Sequence, residues 1–193
     1  PETAGAHAFF GDGMMIRLSL QPGSHGAAGD RWAWRVRKLD TPSARLRAKR
    51  PHAFAPGVLG TMGAFGFSNA ANTAPLPWGD RLFATWDAGR PVEIDPVTMA
   101  FLGEVGHRDD WAPTMDLPVL PMVNSTAHPV IDPERDCRWT VSFNPMMGGL
   151  SLIRYSGDGT HVDRWPVTDG VIPQSVHTIT QTRDWLIVAD CAF

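Results

Sequence analysis

Between residues 68 and 167 the chain repeats one layout, four short apolar-rich segments separated by turn residues, and this repetition constrains the fold more than any other feature. The first unit reads as strands at 68–76, 81–86, 92–95 and 99–105. After a proline-rich connection over 106–124, the second reads as strands at 125–132, 138–144, 150–155 and 161–167, with Gly157-Asp158-Gly159 as a hairpin turn. A third unit opens at 174–182 and continues at 185–189. Asn72, His128 and His177 fall at corresponding places, 56 and 49 residues apart. Four-strand units at roughly 40–50 residues are the spacing of propeller blades, and an irregular β-sandwich or barrel is the alternative. Helical periodicity is almost absent: no window longer than ten residues keeps an apolar face free of Pro and Gly. The fold class expected is therefore all-β, with blades at about 68–105 and 125–167 and another opening at 174.

Ahead of the repeat, Gly11-Asp12-Gly13 leads into a strand at 14–20. A glycine-rich turn returns the chain through 31–39 as a hairpin, and 51–67 reads as loop. Residues 31–50 carry eight basic side chains against the single acid Asp40, which leaves a net −10 on the rest of a −3 chain. A basic run can mark nucleic acid or anionic lipid. The alternation of Trp32 and Trp34 with arginines favours a strand with one wet face, so no nucleic-acid partner is expected. Two cysteines, Cys137 and Cys191, make no disulfide framework, which fits a reducing, cytoplasmic setting. No run of 18 apolar residues predicts a transmembrane helix. Pro1 is not an initiator, and the chain stops just after the apolar run 185–189, so a piece of a longer protein is expected.

A lone histidine at a strand start is more often structural than a ligand. Equivalent placement in successive blades changes that, because first strands line a propeller's channel and both rings would point into it. Neutral imidazoles suit Fe, Zn, Cu or Ni, and two ligands do not choose among them. A metal-bound histidine usually gives its other N–H to a carboxylate. Asp87, just past the second strand of the preceding unit, could be that group, or a plain turn residue beside Ala88-Gly89.

The order and wording of five stretches resemble the carotenoid cleavage oxygenase family, which includes apocarotenoid oxygenases, lignostilbene dioxygenases and a retinoid isomerase. His7-Ala8-Phe9-Phe10-Gly11-Asp12-Gly13-Met14-Met15 resembles its aromatic-rich DGDGM opening, and 31–50 its basic strand. Ala71-Asn72-Thr73 with Gly79-Asp80-Arg81-Leu82-Phe83-Ala84-Thr85-Trp86-Asp87-Ala88-Gly89 is similar to its ANT…GGRLLALWEGG segment, continued at 91–102. Ser125-Thr126-Ala127-His128-Pro129 and Val176-His177-Thr178-Ile179-Thr180 resemble its first and second iron-histidine motifs.

The resemblance implies a seven-bladed β-propeller, of which this chain covers roughly the first half, with Fe2+ on the axis held by four histidines. His128 and His177 would be the first two ligands, and the remaining two would lie in later blades. His7, His25, His52, His107 and His161 fall outside the ligand motifs and are expected in turns, loops or on the surface. The implied reaction is cleavage of a conjugated C=C bond by O2 to two carbonyl products. The family carries Glu where Asp87 stands, and that carboxylate buttresses a histidine, here His177. The shorter side chain is expected to need a shifted backbone or a bridging water.

Hydroxystilbene-cleaving relatives tend to place Lys directly before the acidic residue, whereas here it is Trp86. An apolar ring suits an apolar polyene such as a carotenoid or apocarotenoid, with Trp86 lining the substrate or simply sitting in the core. Lignostilbene-type cleavage and a non-enzymatic propeller binding module are the alternatives. Peripheral membrane contact through Phe65-Gly66-Phe67 or 117–122 is a further expectation. No particular oligomeric state is implied. With half its ligands and open sheet edges, 1–193 alone is expected to be inactive and poorly soluble.

Overall fold

The structure is a computed structural model that describes residues 11–20, 32–50, 62–63, 66–67, 69–111, 123–144, 148–168, 173 and 175–190. Two four-stranded antiparallel meanders dominate it. The first contains β5 (Ala74–Trp78), β6 (Arg81–Thr85), β7 (Val92–Ile94) and β8 (Phe101–Glu104) in that spatial order. The second contains β9 (Val130–Asp132), β10 (Cys137–Phe143), β11 (Leu150–Ser156) and β12 (Val162–Val167). A hairpin follows, β13 (Thr178–Gln181) with β14 (Leu186–Ala189). At the other end β1 (Met14–Leu20) pairs with β2 (Trp32–Lys38), and β3 (Met62–Gly63) with β4 (Gly66–Phe67). His7, His25, His52, Phe65, 117–122 and Cys191 lie outside the described residues.

The turns follow their sequences. Gly79-Asp80 closes a two-residue hairpin in which Trp78 faces Arg81, and Gly79 takes φ +55°, a conformation with no Cβ penalty for glycine. Asp95 Oδ1 accepts from the amides of Val97 and Thr98, pinning the β7–β8 turn. Prolines sit on outer strands, Pro75 and Pro77 in β5 and Pro166 in β12, where a missing N–H breaks no central ladder.

The central strands are covered on both faces. On β6, Phe83 joins Val105, Trp111, Val123, Ile153 and Tyr155 in the core between the two meanders. Its neighbour Ala84 packs oppositely, with Leu39, Ala71, Val92, Ile94 and Met99. On β10, Val141 and Phe143 pack with Leu150, Val176 and Ile179, which seats β13 against the second meander. Period-2 alternation thus feeds a separate apolar layer on each side of each sheet.

One buried charge lies in the layer between the meanders. Arg138 of β10 is 0 % exposed, and its guanidinium nitrogens make no hydrogen bond of ordinary geometry among the described residues, the Tyr155 hydroxyl being the polar group beside them. It lies instead over the rings of Phe83 at 4.1 Å and Trp78 at 4.2 Å, with Tyr155 at 5.7 Å. Burial lowers its pKa from the ordinary value. Arg138→Ala is expected to cost about 3 kcal/mol through cavity and lost ring contacts, whereas Arg138→Met fills the space uncharged and should cost under about 1 kcal/mol. Denaturant titration of the full-length protein separates the two.

Asp132, at the end of β9, is buried and links the second meander to β13. It accepts from Arg135 Nη1 at 2.7 Å, Gln181 Nε2 at 3.1 Å and Trp139 Nε1 at 3.4 Å. The Arg135 hydrogen bond, ahead of the opposing desolvation, holds its pKa at about 2 against an ordinary 3.8. A depressed folded-state pKa contributes stability that is complete above the unfolded value and vanishes as pH falls through the folded one. The Asp132 contribution should therefore be lost between about pH 4 and pH 2. An Asp132→Asn variant should show a shallower acid limb in stability against pH.

The structure corrects three expectations. The later part of the basic stretch is a helix, α1 (Pro42–Lys49), started by Thr41 Oγ1 accepting from Ala44 N at 3.1 Å, with Pro42 in its first turn. Arg47 on it and Lys38 of β2 both pair with the buried Asp12. On the β1–β2 ribbon the arginines, not the tryptophan, meet the protein. Arg17 and Arg37 donate to the carbonyls of Val97 and Thr98, while Trp34 is 71 % exposed beside Ile16, Leu18 and Val36. Finally, the proline-rich connection carries a short 3-10 turn, Arg108–Asp110.

Candidate metal centre

Consecutive β-units deliver the three polar side chains of the site. β6 ends at Thr85, and the next residues, Trp86 and Asp87, enter the turn toward Gly89. A Cβ at Gly89 would lie 2.3–2.7 Å from the Asn69 side-chain amide, so a larger residue there would have to displace Asn69. Asn69 in turn donates to the Arg90 carbonyl at 2.7 Å.

The loop 125–128 is fastened to this turn residue by residue. Ser125 Oγ donates its one hydrogen to the Gly89 carbonyl (2.7 Å) with the Trp86 carbonyl also in reach (3.0 Å), and its amide donates to the Asp87 carbonyl (2.7 Å). Ala127 N donates to Asp87 Oδ1 at 3.0 Å, and Thr85 Oγ1 donates to the Ala127 carbonyl. On its other side the loop meets the third unit. Thr126 Oγ1 donates to the His177 carbonyl at 2.5 Å and accepts from His128 N at 3.2 Å, while His128 N also lies 3.3 Å from the His177 carbonyl. His128 and Thr178 form a single parallel bridge there.

The two imidazoles come together. Their ring centroids are 4.9 Å apart and nearly perpendicular, at 76°. His177 Nδ1 lies 3.0 and 3.1 Å from the two Asp87 carboxylate oxygens. With Nδ1–H given to the carboxylate, the lone pair of His177 stands on Nε2, the tautomer a metal requires. Asp87 reaches His177 directly despite its shorter side chain, so no bridging water is needed. His177 and Asp87 remain 48 % and 38 % exposed, so space for a ligand adjoins the pair.

Asn72 stands just before β5, as His128 stands before β9 and His177 before β13, and its side-chain amide donates to the Gly11 carbonyl at 2.8 Å. Trp86 is 7 % exposed. His107 and His161 are exposed and lie beside Asp109 and Asp163, away from the pair. A cleft of about 410 Å³, lined in part by Arg135, Trp139, Gln181 and Trp185, opens at the far end of β13 from His177. It takes no part in the histidine geometry.

Sequence reading missed Ser125, Thr126 and Thr85 as the groups that hold the site. Their signal was the hydroxyl pair immediately before Ala127-His128, a type of side chain that competes with ladder formation by bonding nearby backbone.

Among the described residues no cluster of three or more His, Cys, Asp or Glu side chains is poised around one point. Two imidazoles with a carboxylate behind one of them nonetheless fit half of an all-histidine centre, and imidazole suits a borderline divalent metal. A mostly β chain of tandem meanders with such a pair where successive units meet defines a class of candidate metalloproteins. Within that class the chain belongs to the retinal pigment epithelial membrane protein (RPE65) family, the carotenoid oxygenases, whose family model matches residues 1–193.

Among relatives, it is 30% identical over 102 residues to carotenoid cleavage dioxygenase 7, chloroplastic, of Oryza sativa subsp. japonica, covering 50% of this chain and 17% of that protein. It is 30% identical over 106 residues to apocarotenoid-15,15'-oxygenase of Synechocystis, covering 50% and 20%. Among solved structures, the lignostilbene dioxygenase of Pseudomonas brassicacearum matches with TM-score 0.64 at 22% identity, over 97% of this chain and 37% of that one. Cobalt-substituted Synechocystis apocarotenoid oxygenase matches with TM-score 0.59 at 23% identity, over 94% and 38%. The chain thus spans under two fifths of these structures and a fifth or less of the curated relatives. No helix among the described residues is long and apolar enough to cross a membrane.

Proposed function

We propose that the chain supplies the first two ligands, His128 and His177, of an Fe2+ centre in an oxygenase that cleaves a conjugated C=C bond of a carotenoid or apocarotenoid. On this reading the two meanders are consecutive blades of a seven-bladed propeller, and β13–β14 opens the third. The observation that carries the proposal is the Asp87–His177–His128 constellation, assembled from three successive β-units with Nδ1 of His177 3.0 Å from its carboxylate. Family membership and the cobalt-substituted relative support it.

When bound, Fe2+ supplies the redox-active Lewis-acid site at which O2 and the alkene combine to give two carbonyl products. The chain's own residues prepare that site. Asp87 accepts a hydrogen bond from Nδ1–H of His177, which fixes the tautomer and raises the basicity of Nε2. The Ala127 amide holds Asp87 Oδ1 in place, so the carboxylate is oriented before any metal arrives. Ser125 and Thr85 tie the His128 loop to the β6 turn, which limits how far the His128 ring can drift. The carotenoid and apocarotenoid oxygenases among the relatives favour a polyene over a phenolic stilbene as substrate, whereas Trp86, 7 % exposed, packs in the core. Soluble oxygenase with peripheral membrane contact is the setting proposed for such a substrate.

Full-length protein purified after iron-replete expression tests this. Near-stoichiometric iron is expected, and mass spectrometry after offering carotenoids, apocarotenals and hydroxystilbenes should show paired carbonyl products from the polyenes. Iron below about 0.1 per chain would favour a metal-free binding module instead. Cleavage of hydroxystilbenes alone would favour the lignostilbene-type activity.

A further inference from the structure

Asp87 fixes the ring of His177, and no hydrogen bond joins it to the ring of His128 among the described residues, so other groups set the two imidazoles relative to one another. Val176 and Ile179 seat the third unit on Val141 and Phe143, but backbone pairing between the second and third β-units at this point is thin. β9 begins only at Val130 and pairs with β10, so His128 and Thr178 form one isolated bridge rather than a ladder. The hydrogen bond from His128 N to the His177 carbonyl is long, at 3.3 Å. One side chain spans the same gap. The Thr126 hydroxyl gives its single hydrogen to the His177 carbonyl at 2.5 Å and uses a lone pair to accept from His128 N at 3.2 Å. It is 2 % exposed, so water does not compete for either bond.

We propose that Thr126 is a positioning residue, whose hydroxyl fixes the spacing between the His128 and His177 backbones and through it the geometry offered to the metal. The proposal rests on the metal-centre reading above. Each imidazole hangs from its backbone by two torsions, so a loosened backbone spacing passes directly to the nitrogens. Hydrogen-bond partners standing behind metal ligands typically change metal affinity by about 10–100-fold when removed. Thr126 acts one step further back, on the backbone, and the lower part of that range is expected. Thr126→Val keeps the shape and removes the hydroxyl, while Thr126→Ser keeps the hydroxyl.

The test is Co2+ titration of the metal-free full-length protein, followed by visible absorption against a competing chelator, together with melting of the metal-free form. Thr126→Val is expected to bind Co2+ about 10-fold more weakly with an altered ligand-field band, its metal-free Tm staying within about 3 °C of the unsubstituted protein. Thr126→Ser should restore both affinity and band shape. Should Thr126→Val not fold, Thr126→Ala takes its place. Unchanged affinity and spectrum without the hydroxyl, or a serine variant as weak as the valine one, overturns the positioning role alone. No Co2+ binding by the unsubstituted protein, or binding that survives loss of both His128 and His177, overturns the metal-centre reading and this inference with it.

Discussion

His177→Ala in the full-length protein is expected to lower iron affinity by more than about 100-fold and to abolish product formation, and His128→Ala should do the same. The magnitude follows from comparison: groups that merely support a ligand are worth about 10–100-fold, so a ligand itself must exceed that. Neither change should unfold the protein. His128 is exposed, and the His177 side chain is 48 % exposed. The backbone bonds that join their loops involve amide and carbonyl groups that alanine retains. Iron analysis and circular dichroism on the same samples separate lost metal from lost fold. An alanine variant that retains stoichiometric iron would show that the ring is not a ligand.

Asp87 carries the second large effect, and its direction is specific to this geometry. Asp87→Ala removes the acceptor of His177 Nδ1 and also orphans the Ala127 amide, so iron affinity should fall about 10–100-fold. Asp87→Asn keeps a neutral acceptor and should fall less. Asp87→Glu is the informative variant, because the family carries Glu there. Asp87 already sits 3.0 Å from both the Ala127 amide and His177 Nδ1, and an added methylene must displace one of them. A loss of affinity below about 10-fold is expected rather than a gain. Tighter iron binding in the glutamate variant would show that the shorter carboxylate is a defect instead of a fitted partner. Iron-chelator competition reads all three.

Much of the β-architecture was legible because period-2 burial is written directly in the chain. The strand at 14–20 was read with the bounds the structure gives, and those starting at Arg81, Val92 and Leu150 were placed at their first residue. The opening strands of the units were read too long, and one physical cause covers them. At 125–128 the backbone and hydroxyl groups are committed to Trp86, Asp87, Gly89 and His177, so ladder pairing starts only at Val130. At 69–72 Asn69, Ala70 and Asn72 bond to Arg90, Gly13 and Gly11, and β5 starts at Ala74. At 125–128 the residues that shorten the strand are those that build the site.

α1 escaped because eight residues with almost no apolar face give periodicity nothing to detect, although Thr41-Pro42 is a start signal in plain view. That His128 and His177 come together was legible from their spacing and motif wording. That a threonine hydroxyl joins their backbones was not, since the contact spans 51 positions and depends on how neighbouring units stack.

Anomalous diffraction at the iron edge from crystals of the full-length holoprotein addresses the central claim most directly. A single peak is expected within about 2.1 Å of one nitrogen of each of His128 and His177, the usual distance from imidazole to a divalent metal, with the Asp87 carboxylate on the far side of the His177 ring. An iron peak elsewhere in the molecule, or one that touches only one of the two rings, would contradict it.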